Sequence, residues 1–194
     1  MVGVPVAKLL ASKGKYNLRI QTRDPNHERS RELAMLPNTT LVAGRADNEA
    51  DLRRAFEGVT AAFVNTNGFA IGEKAEIYWG MRIFEIAKEE KSMRHYVWSN
   101  LDYALKLGGY DEKYKTGHYD GKGRMLSNFA DYKGELRNGF SFNPVEMVSM
   151  HSDGQSSPMV RIWRCSSRMD CLLHVSFLMG CSPSPRRLIT AMSA

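Results

Sequence analysis

The last 58 residues of this 194-residue chain contain no lysine, and the first 136 contain no cysteine. Residues 1–136 hold all 11 lysines, 10 arginines and 18 acids. Residues 137–194 hold six arginines, three acids, 11 serines, six of the 11 methionines, and Cys165, Cys171 and Cys181. Two compositional regimes therefore meet near Leu136, and each contributes +3 to the net charge of +6. No run of lysine and arginine exceeds two residues, so Arg53-Arg54 and Arg186-Arg187 are too short for a nucleic-acid stripe. No stretch approaches the roughly 18 apolar residues of a membrane helix, and no basic segment followed by an apolar run marks a secretory signal. The three cysteines lack CxxC spacing, which argues against zinc and against a disulfide framework. What remains, at 43% hydrophobic and 10% aromatic residues, is the composition of an ordinary folded protein. A soluble, cytoplasmic protein with no metal, direct nucleic-acid or membrane partner is expected.

The first regime alternates. Val4–Leu10 carries apolar residues at helical spacing between Pro5 and Gly14, the punctuation of a short helix. Tyr16–Thr22 alternates apolar and polar residues and breaks at Asp24-Pro25, as a strand does. A helix is expected over His27–Leu36, a β-branched strand over Thr39–Ala43, and a helix over Asn48–Glu57 stopped by Gly58. Val59–Val64 is a continuous apolar run, the pattern of a strand buried on both faces. A long helix over Glu73–Lys91, a strand over His95–Ser99 and a helix over Tyr119–Tyr132 complete the series. Strands separated by such helices read as βαβ units, hence an α/β, doubly wound parallel sheet. The series opens on a helix, whereas a doubly wound nucleotide-binding domain opens on the strand at its centre. The expectation is a sheet lacking that first strand.

MVGVPVAKLL followed by NLRIQTRDPNHERSRELAM resembles the NmrA-like family, atypical relatives of the short-chain dehydrogenases that bind NAD(P). LVAGRADNEADLRRAFEGV, AAFVNTN, HYVWSNL and HYDGKGRM extend the likeness in order to about residue 133. The resemblance implies an incomplete Rossmann-type NAD(P)-binding domain over residues 1–136. Of the family's G-x-x-G-x-x-G turn only the last glycine, Gly3, is matched, so most of the phosphate cradle is expected to be gone. Arg23, in Thr22-Arg23-Asp24-Pro25, falls where a basic residue meets the 2′-phosphate of NADP, because a planar guanidinium suits a phosphate bidentately. His27 lies where a second basic residue assists, and Asp24 as a ribose acceptor keeps NAD open. Gly44-Arg45-Ala46-Asp47 occupies the family's adenine turn, with Arg45 in place of the usual acid and Asp47 able to take over as acceptor. Thr66-Asn67-Gly68 matches the turn beneath the nicotinamide ribose.

His118 and Lys122 stand where short-chain dehydrogenases place Y-x-x-x-K, two groups sharing one helical face. His118 could shuttle a proton. The resemblance implies that Lys122 is a cofactor ligand and, with His118, a candidate catalytic residue. Tyr119 is one position out of register, and Ser99 lies where the dehydrogenases carry their serine. Trp98 and Met125 read as packing residues.

Residues 137–194 carry no motif of the family and form a divergent tail, disordered or read in a shifted frame, in which Cys171–Met179 could pack as a strand or helix. Removing a central strand costs more than a domain's stability unless the sheet re-pairs. Two functions follow from the resemblance: an NADP-dependent oxidoreductase of a small metabolite, or a non-catalytic NADP-sensing regulator with a protein partner, nuclear as well as cytoplasmic. An inactive fragment of either is the third reading.

Overall fold

The computed structural model describes residues 3–131, 141–146 and 186–192. Helix α1 (Gly3–Ser12) leads into β1 (Tyr16–Thr22). The turn at Asp24-Pro25 then opens α2 (Glu28–Ala34), whose N-terminus is capped by the His27 imidazole accepting from Arg29 N. β2 (Thr39–Ala43) and α3 (Glu49–Phe56) follow, with the Asn48 carboxamide accepting from Asp51 N at the start of α3. An Asn or His oxygen or nitrogen at that position satisfies an otherwise orphaned helix N–H. β3 (Ala61–Asn65) ends in a turn that carries a single helical turn, α4 (Gly68–Ile71), and then the long α5 (Glu73–Glu89). β4 (His95–Asn100), α6 (Ala104–Leu107), a 3-10 turn (Glu112–Tyr114) and α7 (Gly117–Asp131) complete the continuous part. These elements match the expected series to within a few residues at each end; α4, α6 and the 3-10 turn were not anticipated, being too short to show a period.

Two strands come from the second compositional regime: β5 (Ser141–Glu146) and β6 (Arg186–Met192). All six form one parallel sheet in the order β2-β1-β6-β3-β4-β5. This is the doubly wound order 3-2-1-4-5-6 with the last strand of the chain at the centre. β6 pairs with β1 from Tyr16↔Arg186 to Gln21↔Ala191, and with β3 from Ala61↔Leu188 to Asn65↔Met192. The position expected to stand empty is thus occupied, and β1 and β3 each have a partner for the backbone groups that a missing strand would leave open. Both β5 and β6 lie within the stretch expected to be a divergent, poorly structured tail. The expected element at Cys171–Met179 lies outside the described residues, as do Met1-Val2 and Tyr132.

Neighbouring residues of β3 face opposite layers. Ala62 and Val64 join one core cluster with Leu52 and Phe56 of α3, Ile83, Phe84 and Ala87 of α5, Trp98 of β4 and Met125 of α7. Ala61 packs instead with Leu10 and Ala11 of α1 and with Tyr16 and Leu18 of β1. A strand with helices on both faces needs apolar residues at every position, which is why Val59–Val64 is an unbroken run. Trp98, Tyr96, Phe56 and Phe84 are fully buried, each contributing about 1.5–3 kcal/mol. Trp98 and Met125 are core residues, as expected. Among the described residues no helix is long and apolar enough to cross a membrane.

Candidate functional site at the carboxyl edge of the sheet

In an open parallel sheet the strand carboxyl ends and the turns after them form the binding crevice. Arg23 follows β1, Arg45, Ala46 and Asp47 follow β2, and Thr66 and Asn67 follow β3. All six line one recess of about 50 Å³, closed by Ala70, Ile71 and Trp79. Five expected cofactor residues therefore converge. The volume is far below the roughly 300–1,000 Å³ of a small-molecule pocket, so the recess suits one moiety of a ligand lying across the edge.

The β2 turn is held by residues that sequence reasoning passed over. Asp51 of α3 accepts from Arg45 N at 2.8 Å, and the buried Gln21 donates through Nε2 to Arg45 O at 3.2 Å. Gly44 packs against both, and a Cβ there would fall 2.9 Å from Asp51 Cβ. The Arg45 side chain forks onto Asp47, Nε to Oδ1 at 2.7 Å and a terminal nitrogen to Oδ2 at 2.5 Å. The hydrogen bond from Arg45, with its charge, holds the Asp47 carboxyl below the usual range, and Arg23 adds to this from further off. Asp47 is therefore paired with Arg45 in the free protein. Asp24 is likewise engaged locally, its Oδ1 accepting from Asn26 N at 2.8 Å. Arg23 is exposed and forms no ion pair among the described residues.

Deeper in, Thr66 and Lys122 are buried together with Glu76 of α5. Lys122 Nζ donates to Thr66 O at 2.9 Å and to Thr66 Oγ1 at 3.0 Å, and lies 3.1 Å from Glu76 Oε1, with Asn65 Oδ1 at 3.4 Å. Thr66 Oγ1 in turn donates to Glu76 Oε1 at 2.5 Å. The ammonium also lies 5.1 Å from the centre of the Trp98 ring. Burial lowers the Lys122 pKa, and the Glu76 carboxylate opposes that shift. Gly68 of the β3 turn and Gly121 of α7 both press on Glu76 Oε2, where a Cβ on either would collide. That oxygen finds no hydrogen-bond partner among the described residues.

Glu76 was not anticipated. Its signal was its phase: four residues before Gly80 and seven before Ile83, it falls on the stripe that α5 buries.

His118 is half-buried at the start of α7, its ring 4.1 Å from that of Phe69 in α4 and 4.8 Å from that of Tyr119. Tyr119, out of register as expected, lines a different and wider cleft of about 580 Å³ with Asp102, Ala104, Leu107, Gly108 and Tyr114. Gly3 is buried at the first position of α1, and His27 is an exposed helix cap; neither lines the recess. Ser99 is buried near the end of β4. Among the described residues no cluster of His, Cys, Asp and Glu could hold a metal ion.

Comparison with known proteins bears on this arrangement. The model of the NmrA-like family matches residues 2–125. An NmrA-like family domain-containing oxidoreductase, malD, of Malbranchea aurantiaca is 30% identical over 150 residues, covering 74% of this chain and 42% of that protein. Among solved structures, NmrA, a negative transcriptional regulator in complex with NADP, matches with a TM-score of 0.58 at 24% identity over 75% of this chain and 42% of its own. Vestitone reductase from alfalfa matches with a TM-score of 0.54 at 12% identity, over 74% of this chain and 51% of its own. The chain thus spans about two fifths of the length of malD and of NmrA.

Proposed function

Because the chain belongs to the NmrA-like family, we propose that it binds NADP along the carboxyl edge of its sheet and acts as an NADP-dependent oxidoreductase of a small metabolite. The observation that carries the cofactor is the convergence of Arg23, Arg45, Ala46, Thr66 and Asn67 on one recess. The donor set fits a phosphorylated nucleotide. Arg23 offers an uncommitted guanidinium for a 2′-phosphate, whereas Asp24, the acid that would favour an unphosphorylated ribose, is engaged within its own turn. Asn67 and the backbone of the Thr66–Gly68 turn would meet the nicotinamide ribose. Bound NADPH would supply a hydride. His118 would move the accompanying proton, and the cleft beside Tyr119 has the size a small substrate needs.

A second reading, an NADP-sensing regulator with a protein partner, in nucleus as well as cytoplasm, is favoured by one observation. An imidazole stacked on Phe69 stands where the phenol of a dehydrogenase would be.

The test is a fluorescence titration of the whole chain with NADPH and NADH, followed by a panel of carbonyl substrates. NADPH binding well above NADH, with turnover, is the expected result. Binding without turnover replaces the oxidoreductase by the sensor. A chain that binds neither nucleotide overturns both.

A further inference from the structure

Lys122 has three protons to donate and more than three acceptors around it. Thr66 O, Thr66 Oγ1 and Glu76 Oε1 lie at 2.9, 3.0 and 3.1 Å, and Asn65 Oδ1 at 3.4 Å. An ammonium carries three donors and no acceptor, so a sugar hydroxyl could be met only by breaking one of these bonds. The side chain is 8% exposed, and Glu76 is fully buried. The carboxylate touches four pieces of the site: Thr66 at the end of β3, Gly68 at the head of α4, and Gly121 and Lys122 on α7. A charge pair buried this deeply is costly to break, because the partner left behind is an uncompensated ion.

We propose that Glu76 is the positioning residue of this site: with Lys122 it forms a buried strut that fixes the Thr66-Asn67-Gly68 turn against α7, and Lys122 acts through that turn rather than on the cofactor itself. This rests on the NADP reading above for its consequence in binding, but the strut exists in the free protein. The groups facing the ammonium are the Glu76 carboxylate from α5, neutral Asn65 and Thr66 from β3 and its turn, and the Trp98 ring from β4. Glu76 is the charged one among them. Removing its charge while keeping its shape, as in Glu76→Gln, leaves the ammonium in the same burial with neutral acceptors and no counter-charge among the groups that face it.

Lysine 13Cε NMR of the whole chain, without and with NADPH, tests this. In the free protein one lysine, assigned to residue 122 by its loss in Lys122→Met, titrates below the others. Glu76→Gln moves that midpoint lower still, and saturating NADPH leaves the resonance in place. NADPH affinity falls by about tenfold in Glu76→Gln and in Lys122→Met, and by no more in the double variant, because both remove the same strut.

A Lys122 resonance that shifts strongly on NADPH addition overturns the proposal in favour of direct contact, as does a midpoint indifferent to Glu76→Gln. If the wild-type chain binds no NADPH, the cofactor reading fails, while the midpoint in the free Glu76→Gln variant still decides the strut. Should Glu76→Gln not fold, the wild-type titration with and without NADPH, read on the resonance assigned through Lys122→Met, decides alone.

Discussion

Arg45 and Asp47 meet with 62% and 33% of their side chains exposed, whereas Lys122 and Glu76 meet with 8% and 0%. The exposed pair is the shorter, at 2.5 Å against 3.1 Å, yet their environments make the buried one the firmer device. In the open recess water screens the charges, so the pair adds little stability and can be exchanged for a ligand's phosphate. In the interior water is excluded and the remaining partners, Thr66 and Asn65, are neutral, so the pair fixes geometry and resists exchange. One end of the site is open to water and the other is sealed from it.

The largest expected effect breaks the buried end. Glu76→Ala leaves an unpaired ammonium and should cost about 3–5 kcal/mol in a urea melt. A loss under about 1 kcal/mol would mean that Lys122 swings out to water, and the contrast with the surface pair would collapse. Gly68→Ala pushes a methyl group onto the same carboxylate and should cost about 1–3 kcal/mol, with the melting temperature as readout. An unchanged melting temperature would show that the turn yields freely.

The pH dependence carries the same contrast. Burial lowers the Lys122 pKa from 10.5, so the folded state holds fewer protons there than the unfolded state. Its contribution therefore makes stability rise with pH between the lowered value and 10.5. In Glu76→Gln that rise should begin at lower pH, as measured by melts across the alkaline range. Asp47 has the same sign of dependence in an acidic window and from the opposite cause, a hydrogen-bonded partner rather than burial. Its lowered pKa gives a contribution present above the ordinary carboxylate range and lost as pH falls through the lowered value.

Arg23→Ala sharpens the other side. It should weaken NADPH about tenfold at low salt and leave NADH unchanged, an effect that shrinks as salt rises. Equal losses for both nucleotides would remove Arg23 from the 2′-phosphate. Smallest of all, Asp47→Asn should barely move the melting temperature while freeing Arg45, so NADPH affinity should hold or improve slightly. A marked loss of affinity would show that Asp47 itself meets the nucleotide.

Much of the layout was legible in the sequence because it depends on local periods. Tyr16–Thr22 and Thr39–Ala43 were read with the bounds that the strands have. Arg23, Arg45 and Thr66-Asn67 could be named because the resemblance to the NmrA-like family placed them in the turns after successive strands, and strand ends bring those turns to one edge. Glu76 and the commitment of Lys122 were not legible, since a glutamate in a helix of mixed charge reads as solvated until the partner helix is placed. Gln21 and Asp51 escaped for the same reason: each supports the Arg45 turn from a separate element.

The sequence by itself determined that β and α elements alternate and that the sheet is parallel, because hydrophobic period and turn chemistry are properties of neighbouring residues. Only the tertiary structure decided that β6, arising from the lysine-free end of the chain, sits at the centre of the sheet between β1 and β3. That pairing joins residues 170 positions apart, Tyr16 with Arg186, and no local pattern encodes it. The backbone groups of β1 and β3 require a partner there, and the fold supplies it from the far end of the chain.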